Sequence, residues 1–235
     1  MTSIPLAFSL AIPAVRILAI LASLGVWFWT QALLGRRKPA EGIVVPVGVI
    51  CDRIHTRTAG INQRLNDNPR HANALLISSS LIIDLLGFYL LFSAIFGRSI
   101  EPFLGLQILF ALRQLCQLYC PLPPPAGMIW RSPGFPTVLV TYGTTDDLFF
   151  SGHTAIAVYG AMTLAASFGP IGIALGIAIA IFEIAVVLVL RAHYTMDVFT
   201  GAITALFVYQ VATRYAPAVD RFISWLVMHM PLIAH

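Results

Sequence analysis

Two short polar blocks break an otherwise apolar stretch: Asp147-Leu148-Phe149-Phe150-Ser151-Gly152-His153-Thr154 and Arg191-Ala192-His193-Tyr194-Thr195-Met196-Asp197-Val198. An imidazole attacks phosphorus when it is neutral and correctly oriented. A carboxylate that accepts the proton on its other ring nitrogen fixes the tautomer and stabilises the charge that develops. His193 and Asp197 have the i,i+4 spacing that provides this where the segment is helical; the alternative is an interfacial pair that merely satisfies itself. Phosphoryl transfer also needs an acid for the leaving alkoxide and a base for the incoming hydroxyl, and His153 is the candidate. Ser151 and Gly152 precede it at a helix start, where free N–H groups and the helix dipole favour an anion. Asp147 stands upstream, where it can orient His153 or receive its proton. Ser151 as a plain N-cap and Asp147 as a plain loop residue are the alternative, and capping is compatible with catalysis.

The elements that must position these residues follow from the sequence between them. Residues 155–168 and 171–190 are almost wholly apolar and are joined by Gly169-Pro170. At ~1.5 Å per residue each run is close to one bilayer thickness, so the pair predicts a hairpin that brings His153 and His193 to one membrane face. The whole chain fits that setting. Of its 235 residues 58% are hydrophobic and 10% charged, with mean hydropathy +0.85, against about 25% charged for a soluble domain. The class expected is all-α: a polytopic membrane protein of six transmembrane helices, a single membrane-embedded domain over residues 1–235 with its site at one face. The spans are expected at 14–34, 72–96, 103–120, 152–168, 171–191 and 196–213, with an amphipathic tail at 214–235. Pro5 and Pro13 are expected to split a short interfacial piece from the first span. Residues 39–70 read as an extramembrane loop with a surface-lying helix at 43–66. Pro121 to Gly127 must turn.

Ionisable groups inside spans are expensive and default to candidates for function. Arg113 lies about two turns before Pro121, where it either clamps a phosphate or pairs with Asp84 or Glu183. Asp84 and Glu183, near mid-span, read as structural. Cys51, Cys116 and Cys120 lack zinc-ligand spacing, and Cys116 and Cys120, four apart in an expected helix, read as small apolar residues. Nothing resembles HExxH, so no metal and no cofactor is expected. The net charge of +4 clusters at residues 36 to 70 and suits anionic lipid rather than nucleic acid. Gly172 and Gly176 make a GxxxG pattern explained by close helix packing.

These blocks resemble the sphingomyelin synthase family, within the broader phosphatidic acid phosphatase type 2 superfamily. That family shows GDxxxSGHT followed by HYTxDV. Here the first block, from Asp146 to Thr154, departs only at the leading glycine, and His193 to Val198 matches in full. Arg113, in a helix running into the proline turn, fits the same pattern, and the likeness covers residues 105–205. The Ser-Arg pair that the phosphatases carry before their nucleophilic histidine is replaced here by Val187 and Leu188, which favours the synthase branch.

The resemblance implies six spans, no metal, a His193 nucleophile assisted by Asp197, and His153 as acid and base; Asp147 completes the expected catalytic set. Arg113, Ser151, Gly152 and Tyr194 make up the expected substrate-binding set. The implied reaction moves a phospho-alcohol head group from a glycerophospholipid donor to ceramide or a diacylglycerol-type lipid alcohol, or to water as a phospholipase C does, releasing diacylglycerol. Its partners are the bilayer and these lipids, with self-association left open. The alternatives are a lipid phosphate phosphatase and, outside enzymes, a transporter or scaffold. The expected location is a multi-pass position in a bacterial inner membrane. On sidedness two arguments conflict. The positive charges at 36 to 70 place the catalytic face in the cytoplasm, and the resemblance to the synthases implies the exoplasmic side.

Overall fold

The computed structural model describes residues 6–36, 50–120, 122–140, 142 and 148–229. These form seven helices: α1 (Leu6–Gly35), α2 (Arg53–Arg57), α3 (Ala59–Asp67), α4 (Pro69–Phe96), α5 (Glu101–Tyr119), α6 (Gly152–Val189) and α7 (Thr195–Met228). No strand occurs among the described residues. Four helices, α1, α4, α6 and α7, are long and apolar enough to cross a membrane. They leave large apolar side chains exposed on their outer faces, among them Leu18, Leu85, Phe92, Ile171, Ile181 and Phe207. Apolar side chains at such positions suit hydrocarbon as their solvent, and the chain is an integral membrane protein.

Six spans were expected. The segments expected as the fourth and fifth are the two arms of α6, helices joined where the backbone reverses at Gly169 (φ 56°, ψ −133°) immediately before Pro170, which is the expected hairpin. Its two arms then pack against each other. A Cβ built on Gly172 would lie 2.0 Å from the Leu164 carbonyl oxygen, and one on Gly176 would lie 2.8 Å from the Ala161 Cα. Positions that rise on one arm meet positions that fall on the other, so the arms are antiparallel and the GxxxG glycines form their contact. The third, α5, is not among the four apolar helices because Glu101, Gln107, Arg113, Gln114 and Gln117 lower its hydropathy.

Pro5 lies outside the described residues, and the expected breaks at Pro13 and after residue 213 are absent. α1 runs through Pro13 without a split, and α7 continues through Pro217 to Met228, so the expected tail as far as that residue extends the last helix. Tertiary bonds explain the second case. Asp220 accepts from the Arg16 guanidinium at 2.8 Å, from the Ser99 hydroxyl at 2.7 Å and from the Ile100 N–H at 3.1 Å. Around this network Ile20, Ala94, Ile100, Phe103 and Ile223 form an apolar cluster. The residues read as a membrane-surface tail therefore close one end of the bundle.

The main core lies between α4, α5, the first arm of α6 and α7, and includes Leu86, Leu90, Leu106, Leu109, Tyr159, Ala205 and Val208. The loop after α5 enters this core from the other end of the bundle. Asp84, inside α4, accepts the Val138 N–H at 3.0 Å and the Leu139 N–H at 2.8 Å. The Tyr142 hydroxyl lies 2.6 Å from that of Ser80. Buried backbone N–H groups need partners, and a mid-helix carboxylate supplies two of them. Asp84 is structural, as expected, and what it holds is a loop.

Candidate active site

α6 starts at Gly152 because Ser151 caps it, accepting the Thr154 N–H at 3.3 Å. The Ser151 N–H in turn donates to the Asp197 carbonyl at 3.1 Å. This bond fastens the start of α6 to the first turn of α7 and brings the two polar blocks together.

At its other end α6 closes with a Schellman turn. The Ala192 N–H donates to the Val187 carbonyl at 2.9 Å and the Arg191 N–H to the Leu188 carbonyl at 3.2 Å. The residue in the left-handed position is Arg191, with φ 54°, where glycine is the usual occupant. Its guanidinium donates to the carbonyls of Ala126 and His55, which holds the turn in place. The turn delivers His193 into a short link before α7. Thr195 begins α7, and Asp197 caps it, with Oδ2 accepting the Tyr194 N–H at 2.9 Å.

The i,i+4 reading needed a helix that continues or restarts at His193. α6 ends at Val189 and α7 starts at Thr195, so His193 lies in the link and the pair forms across the first turn of α7. His193 Nδ1 lies 3.7 Å from Asp197 Oδ2, longer than a hydrogen bond but within ion-pair range. Both residues are buried, at 5% and 1% exposure. Among the described residues, His193 Nδ1, Asp197 Oδ1 and His153 Nε2 have no hydrogen-bond partner.

His153 and His193 line one cavity of about 60 Å³ together with Arg113, Gly152, Trp130 and Ala192. Its remaining wall is apolar and includes Trp27, Phe110, Leu139 and Ile156. One water needs about 10–15 Å³ of such space, so the cavity has room for a small polar group. The edge of Trp130 meets the His153 ring at a centroid distance of 5.2 Å. Arg113 Nε donates to the Phe150 carbonyl at 3.1 Å, and a Cβ on Gly152 would stand 3.2 Å from that nitrogen. Glycine at 152 thus lets the guanidinium approach the start of α6. Asp84 is engaged with backbone N–H groups, and Glu183 Oε2 accepts the Ser79 hydroxyl at 2.6 Å; the alternative for Arg113, a mid-span ion pair with either, is not the arrangement seen.

Not every expected residue reaches the cavity. The Ser151 side chain is taken up by its cap. The Tyr194 hydroxyl donates to the Pro123 carbonyl at 3.2 Å, and its ring stacks on His55, away from the cavity wall. Asp147 lies outside the described residues. Sequence reasoning missed Trp130, Asp52 and His55. Asp52 accepts the Thr195 N–H at 2.7 Å and the Thr195 hydroxyl at 2.8 Å, and His55 Nε2 donates to the His193 carbonyl at 3.0 Å. Burial alone would raise the Asp52 carboxyl pKa, but hydrogen bonds from Thr195 and the His55 N–H outweigh it and hold it below the usual value. Burial pushes the His55 pKa below its ordinary value, against the opposing pull of Asp52, which favours the neutral ring. An aspartate just before a short helical run is an N-cap signal. That signal could have found the start of α2, but nothing in the sequence points to the second helix start that Asp52 also holds.

The AtPDCT1/2 family model matches residues 51–214. The chain belongs to that family. The family name denotes phosphatidylcholine:diacylglycerol cholinephosphotransferase, a plant family related to the sphingomyelin synthases. The expected synthase family is therefore replaced by a related family of lipid head-group phosphotransferases. The match reaches back beyond the two polar blocks to take in α2, α3 and the whole of α4. No curated protein and no solved structure matches the chain.

Proposed function

We propose that the protein transfers a phospho-alcohol head group, phosphocholine by the family name, from a glycerophospholipid to a lipid hydroxyl such as that of diacylglycerol. The observation that carries this reading is the sharing of one cavity by His153, His193 and Arg113, with Asp197 on the Nδ1 side of His193. That placement leaves Nε2 of His193 as the attacking nitrogen. Its lone pair forms a bond to phosphorus while the bond from phosphorus to the glycerol oxygen breaks. His153 gives that oxygen a proton, and diacylglycerol leaves. In the second half His153 takes the proton of the acceptor hydroxyl, whose oxygen attacks phosphorus, and the P–N bond breaks. Asp197 stabilises the imidazolium formed at His193, and Arg113 offsets charge on the phosphoryl oxygens. With ceramide as acceptor the same steps make a sphingolipid, and with water they make a phospholipase C.

The reading carries a topology of six crossings: α1, α4, α5, the two arms of α6, and α7. Each α6 arm at ~1.5 Å per residue matches a hydrocarbon core of roughly 30 Å. α5, though polar along one side, buries Leu106, Leu109 and Phe110 in the core. The test is lipid mass spectrometry of purified protein given phosphatidylcholine with a deuterated head group and a diacylglycerol of distinct chain length. Transfer of the deuterated head group onto the new chains is expected, and it is lost in His193→Ala and His153→Ala. Release of inorganic phosphate from phosphatidic acid, with no head-group exchange, would replace this reading with the phosphatase.

A further inference from the structure

The geometry points to Asp52 and His55 as positioning residues that hold the main chain of His193 against the cavity, an inference that rests on His193 being the nucleophile proposed above. α2 has only five residues, yet this segment grips the link on both sides of that histidine. The Arg191 guanidinium donates to the His55 carbonyl at 3.1 Å. The His55 ring donates to the His193 carbonyl at 3.0 Å. The Thr195 N–H and hydroxyl donate to Asp52 at 2.7 and 2.8 Å. Bonds at positions 191, 193 and 195 thus bracket the nucleophile. Asp52 Oδ1 also accepts the Ile54 N–H at 2.9 Å and the His55 N–H at 3.3 Å. One carboxylate therefore caps α2 and α7 together, and neither helix start can shift without the other.

The clip is itself anchored. Asn62, on α3, donates to the Gly127 carbonyl at 3.1 Å and to the Val189 carbonyl at 2.9 Å, tying α3 to the proline loop and to the end of α6. Neither Asp52 nor His55 lines the cavity, so both act through His193 and touch no substrate. The link needs such support. It contains a non-glycine residue in the left-handed region, and its histidine side chain has no Nδ1 partner among the described residues to fix the ring. A misplacement of about 1 Å at a reacting group costs on the order of 100-fold in rate.

The test compares His55→Leu, His55→Gln and Asp52→Ala with wild type in purified protein, using the head-group exchange assay above and hydrogen–deuterium exchange by mass spectrometry. His55→Leu keeps bulk but removes the donor. His55→Gln returns an amide N–H near the place of Nε2. Expected are kcat losses of roughly 10- to 100-fold in His55→Leu and Asp52→Ala with KM for the donor within about twofold, and recovery of most of the loss in His55→Gln. Peptides spanning 192–198 should exchange faster in Asp52→Ala, with the α6 arms unchanged. Wild-type kcat in His55→Leu, failure of glutamine to rescue, or faster exchange spread over the whole bundle would overturn the clip. Wild-type protein inactive in head-group exchange would instead sink the proposed function, and the exchange of 192–198 would still decide whether α2 holds the link.

Discussion

Replacing Asp197 by Asn separates its two duties. The side chain caps α7 through Oδ2, 2.9 Å from the Tyr194 N–H, and places a negative charge 3.7 Å from His193 Nδ1. Asparagine keeps an oxygen that can accept the Tyr194 N–H from the N3 position of the capping box, so helix and fold survive. The charge is lost. In the transition state of the proposed reaction the His193 ring gains positive charge as its nitrogen bonds to phosphorus. Two unit charges about 4 Å apart interact by ~4 kcal/mol at an effective dielectric constant of 20. With half of a full charge developed, the loss is about 2 kcal/mol; with a full charge, about 4 kcal/mol. At ~1.4 kcal/mol per factor of ten, kcat should fall between roughly 30-fold and 1,000-fold. KM should hardly move, because Asp197 does not line the cavity. The assay is initial-rate head-group exchange in nanodiscs, with thermal unfolding of the same preparation as the folding control. A kcat within about threefold of wild type would show that the carboxylate only caps the helix, and a raised KM with unchanged kcat would place it in substrate binding instead.

Three further predictions use the same protein. Arg113→Lys should lower kcat by 10-fold or more with an unchanged melting temperature, since a point charge cannot reproduce a guanidinium fork that also donates to the Phe150 carbonyl; a lower melting temperature with normal kcat per folded molecule would make Arg113 structural. Asp220→Ala should destabilise the bundle by about 3 kcal/mol and leave kcat per folded molecule intact, because it leaves the Arg16 guanidinium, 6% exposed, without its carboxylate; an unchanged melting temperature in detergent would refute the role given to that ion pair. Single cysteines at Ser132 and Arg98, in a background lacking Cys51, Cys116 and Cys120, should label from opposite sides of the membrane, with Ser132→Cys protected from an impermeant maleimide in intact cells, as the arginines around α2 and α3 require; labelling of Ser132→Cys in intact cells would put the cavity on the exoplasmic side.

What the sequence made legible was local. The α6 reversal could be read because Gly169-Pro170 interrupts two apolar runs, and the packing of its arms because Gly172 and Gly176 stand one turn apart. His153 and His193 were legible as a pair because the hairpin between them has a length fixed by the helix rise. Failures came where a distant partner decided the outcome. The last span was expected to end at 213, yet α7 continues through Pro217 because Asp220 finds Arg16, Ser99 and Ile100. The charged stretch from 39 to 70 looked like a solvated loop. Its Asp52 could be recognised as a cap, but nothing in sequence shows that Thr195 also lies over it. Asp84 was correctly read as structural, but a mid-span carboxylate gives no sign that its partners are loop N–H groups.

The buried polar atoms without partners give an argument of a different kind. Among the described residues, Arg16, Arg191 and Glu183 each leave one atom unbonded while another atom of the same side chain is held, and Gln107 lies apart on α5. Asp197 too has one oxygen held, by the Tyr194 N–H, but His153 Nε2, His193 Nδ1 and Asp197 Oδ1 fall together at the two polar blocks. A buried unsatisfied group costs about 1–3 kcal/mol, and three at one place oppose folding with no packing return. The far end of the bundle shows what a purely structural arrangement looks like: Asp220 there is bonded by a guanidinium, a hydroxyl and a backbone N–H. A scaffold has no use for a buried imidazole left unsatisfied at a cavity wall. In the proposed reaction the leaving oxygen and its proton are the partners of His153 Nε2, and the imidazolium formed at His193 brings the Nδ1 proton to bear on Asp197.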